Sequence, residues 1–176
     1  MEPAAKFHDK SQVAGIYARG CTVGTYLGRA GEYLTCAELS LQGWNAVLAG
    51  EGLPYDVLAW RGTSLHRIQV KATSTRVPQN ACSKVVVPIH RFSRSRGRAA
   101  YRRRLNPGEC DWLALVALDC RKVAFVPIDR LVRDGRVVAA VQLKSHDFHY
   151  DKSKFGVDPN TVGLFFEDLA RFTPKE

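Results

Sequence analysis

The chain has 176 residues, of which 45% are hydrophobic and 24% are charged, so it is not a disordered chain and is long enough to bury a real core. Lysine and arginine number 26 against 17 aspartates and glutamates, and the formal net charge of +9 favours a polyanionic partner. No apolar run approaches the length of a membrane span, and the start MEPAAKFHDK lacks a signal-peptide core, so we expect a soluble, cytoplasmic protein.

The cysteines are odd in number, scattered and without a CxxC pair, which argues against a disulfide framework and for reduced thiols. A zinc site built from Cys110, Cys120, His146 and His149 is conceivable, but the spacing fits no usual zinc pattern. The cysteines are Cys21, Cys36, Cys82, Cys110 and Cys120.

The first strong element in chain order is a helix over 26–42, with Thr25 as its N-cap and Gly43 as its C-terminal stop. Before it, residues 1–24 form a polar N-terminal extension that holds a possible short helix at 12–19. Two sides of the main helix are apolar, which predicts burial between a sheet and another layer, for which the N-terminal segment is one candidate. One side carries Leu27, Ala30, Leu34, Ala37 and Leu41, and the other carries Gly28, Glu32, Cys36 and Leu39.

A β-hairpin is predicted next, with strands at 57–60 and 65–71 joined by a Gly-containing turn. Side chains alternate along a strand, so Gln69 and Lys71 share one face of the second strand while apolar residues line the other. A buried strand has little reason to place an amide and an ammonium on one face. With Asp56 opening the partner strand, we interpret this face as a site that holds a metal and a phosphate.

The rest of the chain predicts a sheet flanked by helices. Residues 110–118 are its most hydrophobic run and are typical of a central strand. Together with the hairpin, this run predicts an α/β fold built on a mixed sheet of about five strands. The other predicted elements are strands at 44–49, 83–89 and 123–127, a helical turn at 128–132, a strand or short helix at 137–143, a polar loop at 145–160 and a C-terminal helix at 161–172.

A basic segment at 90–108 links two of these strands and is predicted to be a loop. Phe92 and Tyr101 are interleaved with arginines, whose planar guanidinium groups suit phosphate contacts. We interpret the segment as a DNA-binding loop, and the alternatives are a solvated flexible loop or an RNA-binding tail. Its arginines are Arg91, Arg94, Arg96, Arg98, Arg102, Arg103 and Arg104.

The side chains of the hairpin are those that phosphodiester hydrolysis requires. Such a reaction needs a Lewis acid and a polarised water, which a magnesium ion held by one or two carboxylates supplies. Asp56 is the first ligand candidate, Gln69 would offer its amide oxygen, and Lys71 would act on the water or on the charge of the phosphate. The second carboxylate must come from outside the hairpin, and Glu32 on the preceding helix is favoured over Glu38.

Four short motifs follow one another along the chain. They are Gly28-xx-Gly31-Glu32, the helix-ending Gly43, Pro54-Tyr55-Asp56 and Gln69-Val70-Lys71. Together they resemble the PD-(D/E)XK nuclease superfamily, most closely its group I intron-encoded homing endonucleases and archaeal-type Holliday junction resolvases. The resemblance covers residues 28–73 well and continues loosely to Val126-Pro127. It departs from the usual pattern at Gln69, where the superfamily places an acid.

The resemblance implies a restriction-endonuclease-like fold, with its core at 25–144 and a further region at 145–176. It also implies a magnesium-dependent DNA endonuclease in which Mn²⁺ substitutes for Mg²⁺. Asp56, Glu32 and Gln69 would hold the metal. The expected partner is double-stranded DNA of the nucleoid. One such site cuts one strand, so double-strand cleavage implies a homodimer or homotetramer.

Three alternatives remain beside this hypothesis. A Holliday junction resolvase would prefer four-way junctions to linear duplex. A non-catalytic nucleic-acid-binding module is motivated by Gln69, because a neutral amide removes a negative charge from the metal site. An RNA-binding accessory protein would use the arginine segment alone.

Overall fold

The computed structural model describes residues 23–73, 85–93, 101–118, 121–144, 161–165 and 167–174. This part begins with helix α1 (Val23–Leu41), and Gly43 follows it with a φ of +80°. The Gly43 N–H donates to the Ser40 carbonyl at 3.0 Å. A residue in the left-handed region turns the backbone away from the helical path, and glycine adopts that conformation without strain, so Gly43 ends the helix.

The described strands are short and numerous, and they belong to several sheets. In chain order they are β1 (Asn45–Leu48), β2 (Val57–Arg61), β3 (Ser64–Thr73), β4 (Val85–Pro88), β5 (His90–Ser93), β6 (Tyr101–Arg104), β7 (Trp112–Ala117), β8 (Lys122–Pro127), β9 (Val132–Arg133), β10 (Arg136–Val137), β11 (Ala140–Lys144) and β12 (Thr161–Phe165). Short 3-10 helices lie at Pro107–Glu109, Ile128–Leu131 and Glu167–Leu169.

The main sheet has five strands in the order β1-β2-β3-β7-β8. Its central pair, β3 and β7, runs parallel, and the other neighbours run antiparallel, so the sheet is mixed. The turn of the β2–β3 hairpin contains Gly62 with a φ of +59°. A second sheet has the order β12-β11-β4, and β5 pairs with β6 as a separate two-stranded ribbon.

An apolar core lies on each face of the main sheet. On one face, α1 packs over the strands, and Leu39 and Ile68 are fully buried there. On the other face, the three-stranded sheet packs against the main sheet and buries Leu113 and Leu143. Because side chains alternate along β3, Gln69 faces this second core, where its register partner on β7 is Leu113.

The C-terminal segment closes the helix side of the sheet. The ring of Phe172 lies 4.9 Å from Trp44, 4.8 Å from Trp112 and 5.3 Å from Phe125, measured between ring centroids. Gln42 at the end of α1 fixes this segment, because its Oε1 accepts a hydrogen bond from the Phe172 N–H at 2.7 Å. Aromatic contacts at these distances add to the stabilisation from burial alone, so the segment is part of the core.

The structure confirms most of the predicted elements. The α/β fold with a mixed five-strand sheet is confirmed, as are the helix predicted at 26–42 and the strands at 83–89, 110–118 and 123–127 with small shifts of their ends. Thr25 is not an N-cap, because α1 begins at Val23 and Thr25 lies inside it.

Two predicted elements were wrong. The C-terminal helix at 161–172 is instead strand β12 followed by a 3-10 turn, because Val162 and Leu164 alternate into the second core and pair with β11. The basic segment at 90–108 is not one loop. Its arms pair as β5 and β6, from His90 opposite Arg104 to Ser93 opposite Tyr101.

Other predictions concern residues outside the described part of the chain. These are the short helix at 12–19, the polar loop at 145–160 and three members of the conceivable zinc site, Cys120, His146 and His149. Among the described residues, Cys36 and Cys110 are free thiols. Across the same residues, no helix combines the length and the apolar character needed to cross a membrane.

Candidate active site

Asp56 lies where β2 opens away from β3. The last pair of the two strands is Val57 with Ile68, and the Asp56 N–H donates to the Ile68 carbonyl at 2.9 Å. Beyond that point, the Asp56 side chain replaces the backbone as acceptor, because its Oδ2 accepts a hydrogen bond from the Val70 N–H at 2.8 Å. Asp56 is therefore hydrogen-bonded to β3. It is not a turn residue whose side chain binds only its neighbours in sequence.

Gln69 is a buried amide beside that carboxylate. The residue is 4% exposed, and its Nε2 donates a hydrogen bond to the Asp56 Oδ2. A buried polar group needs a partner because desolvation is costly, and the Asp56 carboxylate supplies one. The structure thus excludes a surface amide at this position and brings the side chains of Asp56 and Gln69 into contact.

The ionisation of Asp56 depends on burial and on its charged neighbours. Burial raises the pKa of Asp56 above its ordinary value, while the Val70 N–H, the Lys71 ammonium and the Gln69 amide lower it. The Glu32 carboxylate raises the pKa further. Lys71 and Glu32 therefore both lie close enough to influence the Asp56 carboxyl electrostatically.

A close contact between α1 and β3 delivers Glu32 to this site. Gly31 is buried against the strand, and a Cβ at position 31 would lie 2.5 Å from the Cβ of Ala72. The next residue, Glu32, is half-buried and forms an ion pair with Arg29 at 2.8 Å. The absence of a side chain at Gly31 lets the two backbones approach, and this approach places the following carboxylate near the strand.

Glu38, the competing carboxylate, has another partner. Its Oε1 accepts a hydrogen bond from the Nε2 of Gln42 at 2.8 Å, at the C-terminal end of α1. This contact stabilises the end of the helix. Glu32, and not Glu38, is among the charges that shift the pKa of Asp56, and this favours Glu32 as the second acid of the site.

The donor atoms of the site fit a hard divalent cation. Within the described residues, no group of three or more His, Cys, Asp or Glu side chains could hold a metal, so the carboxylates of Asp56 and Glu32 would need an amide or backbone oxygen beside them. Magnesium is commonly held by one or two carboxylates, while waters and substrate oxygens complete its shell. A cation would also offset the like charge that raises the pKa of Asp56.

An ion pair between Arg67 and Asp111 borders the site and was not predicted. The Arg67 Nη2 donates to Oδ1 at 2.7 Å, and Nε and the backbone N–H donate to Oδ2 at 3.2 and 2.7 Å. Partial burial raises the pKa of Asp111, but the hydrogen bonds and charge of Arg67 outweigh it and hold the pKa below its ordinary value. No local signal marks the pair, because only the β3–β7 register brings the two residues together.

Cys110 lies next to the Gln69 backbone and is not a reactive thiol. The residue is 1% exposed, and burial raises its pKa to about 12 although the Gln69 backbone N–H opposes the shift. A thiol acts as a nucleophile or metal ligand through its thiolate, which is scarce at neutral pH when the pKa is so high.

The arginines predicted to bind DNA lie partly in the two-stranded ribbon. Arg91 is opposite Arg103, and Arg102 is opposite Phe92. Arg104 follows them and is exposed. The remaining three lie outside the described residues: Arg94, Arg96 and Arg98.

Comparisons with known proteins agree with this geometry. Residues 24–155 match the family model described as PD-(D/E)XK endonuclease. The structure of a bacterial homing endonuclease, I-Ssp6803I, is similar with a TM-score of 0.58 and 19% identity, over 74% of this chain and 84% of that one. At this identity the likeness shows the fold. No curated protein sequence matches the chain.

Proposed function

Because the chain belongs to the PD-(D/E)XK endonuclease family, we propose that it is a metal-dependent endonuclease that hydrolyses phosphodiester bonds of double-stranded DNA. The observation that carries this proposal is the half-buried Asp56 carboxylate, bound to Gln69, with a pKa on which Glu32 and Lys71 both act. Perturbed carboxyl groups beside an ammonium are typical of catalytic sites. A homing-endonuclease role is supported by the similarity in fold to the bacterial homing endonuclease.

Asp56, Glu32 and Gln69 would hold the metal ion, for which we propose magnesium with manganese as a substitute. When bound, the ion supplies a Lewis acid for a non-bridging phosphate oxygen and favours ionisation of the attacking water. The protein itself holds the Asp56 carboxylate in place for this chemistry. The Val70 N–H and the Gln69 amide both donate to Oδ2 and fix its position.

Lys71 would act on the reacting groups themselves. It follows Gln69 by two positions on β3, so both side chains face the same side of the sheet, and its ammonium lowers the pKa of Asp56. An ammonium at this place would neutralise charge that develops on the phosphate, or its amine form would accept a proton from the water. Either role requires the substrate phosphate to lie between Lys71 and the carboxylates.

The ribbon of β5 and β6 would hold the DNA. A two-stranded β-ribbon fits the major groove of B-DNA, and arginine side chains along it would neutralise phosphates and release counterions. The net charge of +9 supports such a partner. Since one site cuts one strand, cleavage of both strands would require a homodimer or homotetramer.

The variant Asp56→Asn tests this function. Asparagine keeps the shape and an acceptor oxygen for the Val70 N–H, but it removes the negative charge. We expect cleavage to fall by more than the roughly 10- to 100-fold that is typical of changes beyond the ligands. DNA affinity measured with EDTA should be nearly unchanged. Unaltered cleavage would contradict the assignment.

A second candidate function is a DNA-binding module without catalysis, motivated by Gln69 in the place of an acid. A neutral amide leaves the site with one negative charge fewer and weakens its attraction for a cation. This candidate predicts salt-sensitive DNA binding that neither magnesium nor EDTA changes. If cleavage occurs, preference for a four-way junction over linear duplex would instead identify a junction resolvase.

A further inference from the structure

The ion pair of Arg67 and Asp111 joins two strands at the edge of the proposed active site. Besides the three hydrogen bonds from Arg67 to the Asp111 carboxylate, the Asp111 N–H donates back to the Arg67 carbonyl at 2.8 Å. Immediately beyond this contact, Ile68 pairs with Trp112 and Gln69 with Leu113. The pair therefore lies at the start of the parallel β3–β7 ladder, next to its first register pair.

Register matters here because Gln69 must face Asp56. A shift of one residue along β3 would turn every side chain to the opposite face of the sheet and would exchange Gln69 with an apolar neighbour. Arg67, Gln69 and Lys71 occupy alternate positions and so face the same side. Asp111 thus binds Arg67, which lies two residues before Gln69 on the strand that carries the site.

The same arginine also contacts the connection that leads from the ribbon. Its Nη1 donates to the Gly108 carbonyl at 3.1 Å, within the 3-10 turn Pro107–Glu109. That turn follows β6, and Leu105 between them is 2% exposed in the second core. Arg67, on the active-site strand β3, therefore binds both the residue before β7 and the turn that follows the ribbon.

Stability alone is a weak explanation for so many contacts. The side chains of Arg67 and Asp111 are 39% and 35% exposed, and ion pairs this exposed contribute little to folding. Several hydrogen bonds from one planar guanidinium instead provide directional control, which lysine cannot reproduce.

We propose that Arg67 and Asp111 are a positioning pair that holds Gln69 against Asp56 and ties the ribbon to the active-site strand. The inference rests on the proposed function, since the site being positioned is a nuclease site. Neither residue is assigned to contact the substrate. Their effect passes through Gln69 and the Val70 N–H to the Asp56 carboxylate.

The experiment compares the full-length wild type with Asp111→Asn, Arg67→Gln and Arg67→Lys. In metal-free protein, NMR follows the hydrogen exchange of the Val70 amide and the shift of the Gln69 side-chain NH₂. Calorimetry then measures Mn²⁺ affinity. The controls are Asp129→Asn and Arg130→Gln, which change exposed residues of the same types on a neighbouring 3-10 turn.

We expect faster Val70 exchange, a displaced Gln69 signal and an affinity for Mn²⁺ reduced by about 10- to 100-fold in Asp111→Asn and Arg67→Gln. Arg67→Lys keeps the charge but not the set of directed hydrogen bonds, so it should show the same changes as Arg67→Gln. The proposal is overturned if the Val70 exchange rate and the Gln69 NH₂ shift stay as in the wild type. It is also overturned if these two signals change no more than those of the other amides of the sheet. Absence of Mn²⁺ binding in the wild type would count against the proposed function, whereas the NMR readout decides the positioning pair on its own.

Discussion

Gly31 of α1 and Ala72 of β3 are in such close contact that a methyl group at position 31 would lie 2.5 Å from the Ala72 Cβ. This contact sets the distance between the helix and the central strand. It also determines where Glu32, the following residue, meets the site on β3. The glycine in the middle of the helix is therefore explained by packing, at a cost in helix propensity that Ala would avoid.

Gly31→Ala should destabilise the protein. The added methyl group has no space beside Ala72, and overpacking of this kind costs about 1–3 kcal/mol in the free energy of unfolding. The matched control is Gly28→Ala, one turn earlier, where a Cβ would meet nothing within 4 Å. There, alanine should stabilise the helix by up to about 1 kcal/mol. Denaturant unfolding measures both, and equal effects at the two positions would contradict the packing argument.

Asp56→Asn should raise the thermal stability of the metal-free protein at pH 7. Burial raises the pKa of Asp56, so the folded state binds its proton more tightly than the unfolded state, and stability falls as the pH rises from about 3.9 through the folded pKa. Asparagine removes that cost, because it carries no charge to desolvate. Most of the gain should disappear near pH 3.5, where the wild-type carboxyl is mostly protonated in both states. Calorimetric scans at the two pH values test this, and a lower Tm for the variant at pH 7 would contradict it.

Gln142 and Gln69, both buried in the described part of the chain, should respond in opposite ways to replacement by methionine. Gln142 is 9% exposed on β11, and its Oε1 has no hydrogen-bond partner among the described residues, so Gln142→Met should stabilise by about 1 kcal/mol. Gln69→Met removes a donor from the Asp56 carboxylate and should destabilise by about 1–3 kcal/mol. Chemical denaturation with both variants provides the comparison. A loss of stability in Gln142→Met would show that its oxygen is satisfied.

Much of the fold follows from local patterns in the sequence. The glycine that ends α1, the alternation along the hairpin and the apolar run of β7 each predict their element, because turn chemistry and burial act within a few residues. The C-terminal strand was missed, since Leu164 and Leu169 also suit a helix and only pairing with β11 selects the strand. The arms of the arginine segment were missed for the same reason, as Phe92 and Tyr101 favour strands only once the arms pair.

The residues of the candidate site also fall into those that a local pattern reveals and those that only the pairing of distant segments reveals. Asp56, Gln69 and Lys71 were predicted because they lie on one hairpin whose alternation the sequence shows directly. The prediction of Glu32 depended on the order of the four motifs along the chain. Asp111, which binds Arg67, gave no local signal, because the parallel pairing of β3 with β7 joins segments far apart in the chain.

The central claim is tested most directly by cleavage of a mixed plasmid library with magnesium, manganese or EDTA, comparing the wild type with Lys71→Ala. A matched control is Lys122→Ala, which changes an exposed lysine at the start of β8. The account predicts cutting by the wild type and the control with either metal, none with EDTA, and little or none with Lys71→Ala. Cleavage that persists with EDTA or in Lys71→Ala, or DNA binding without cutting under every metal condition, would contradict it.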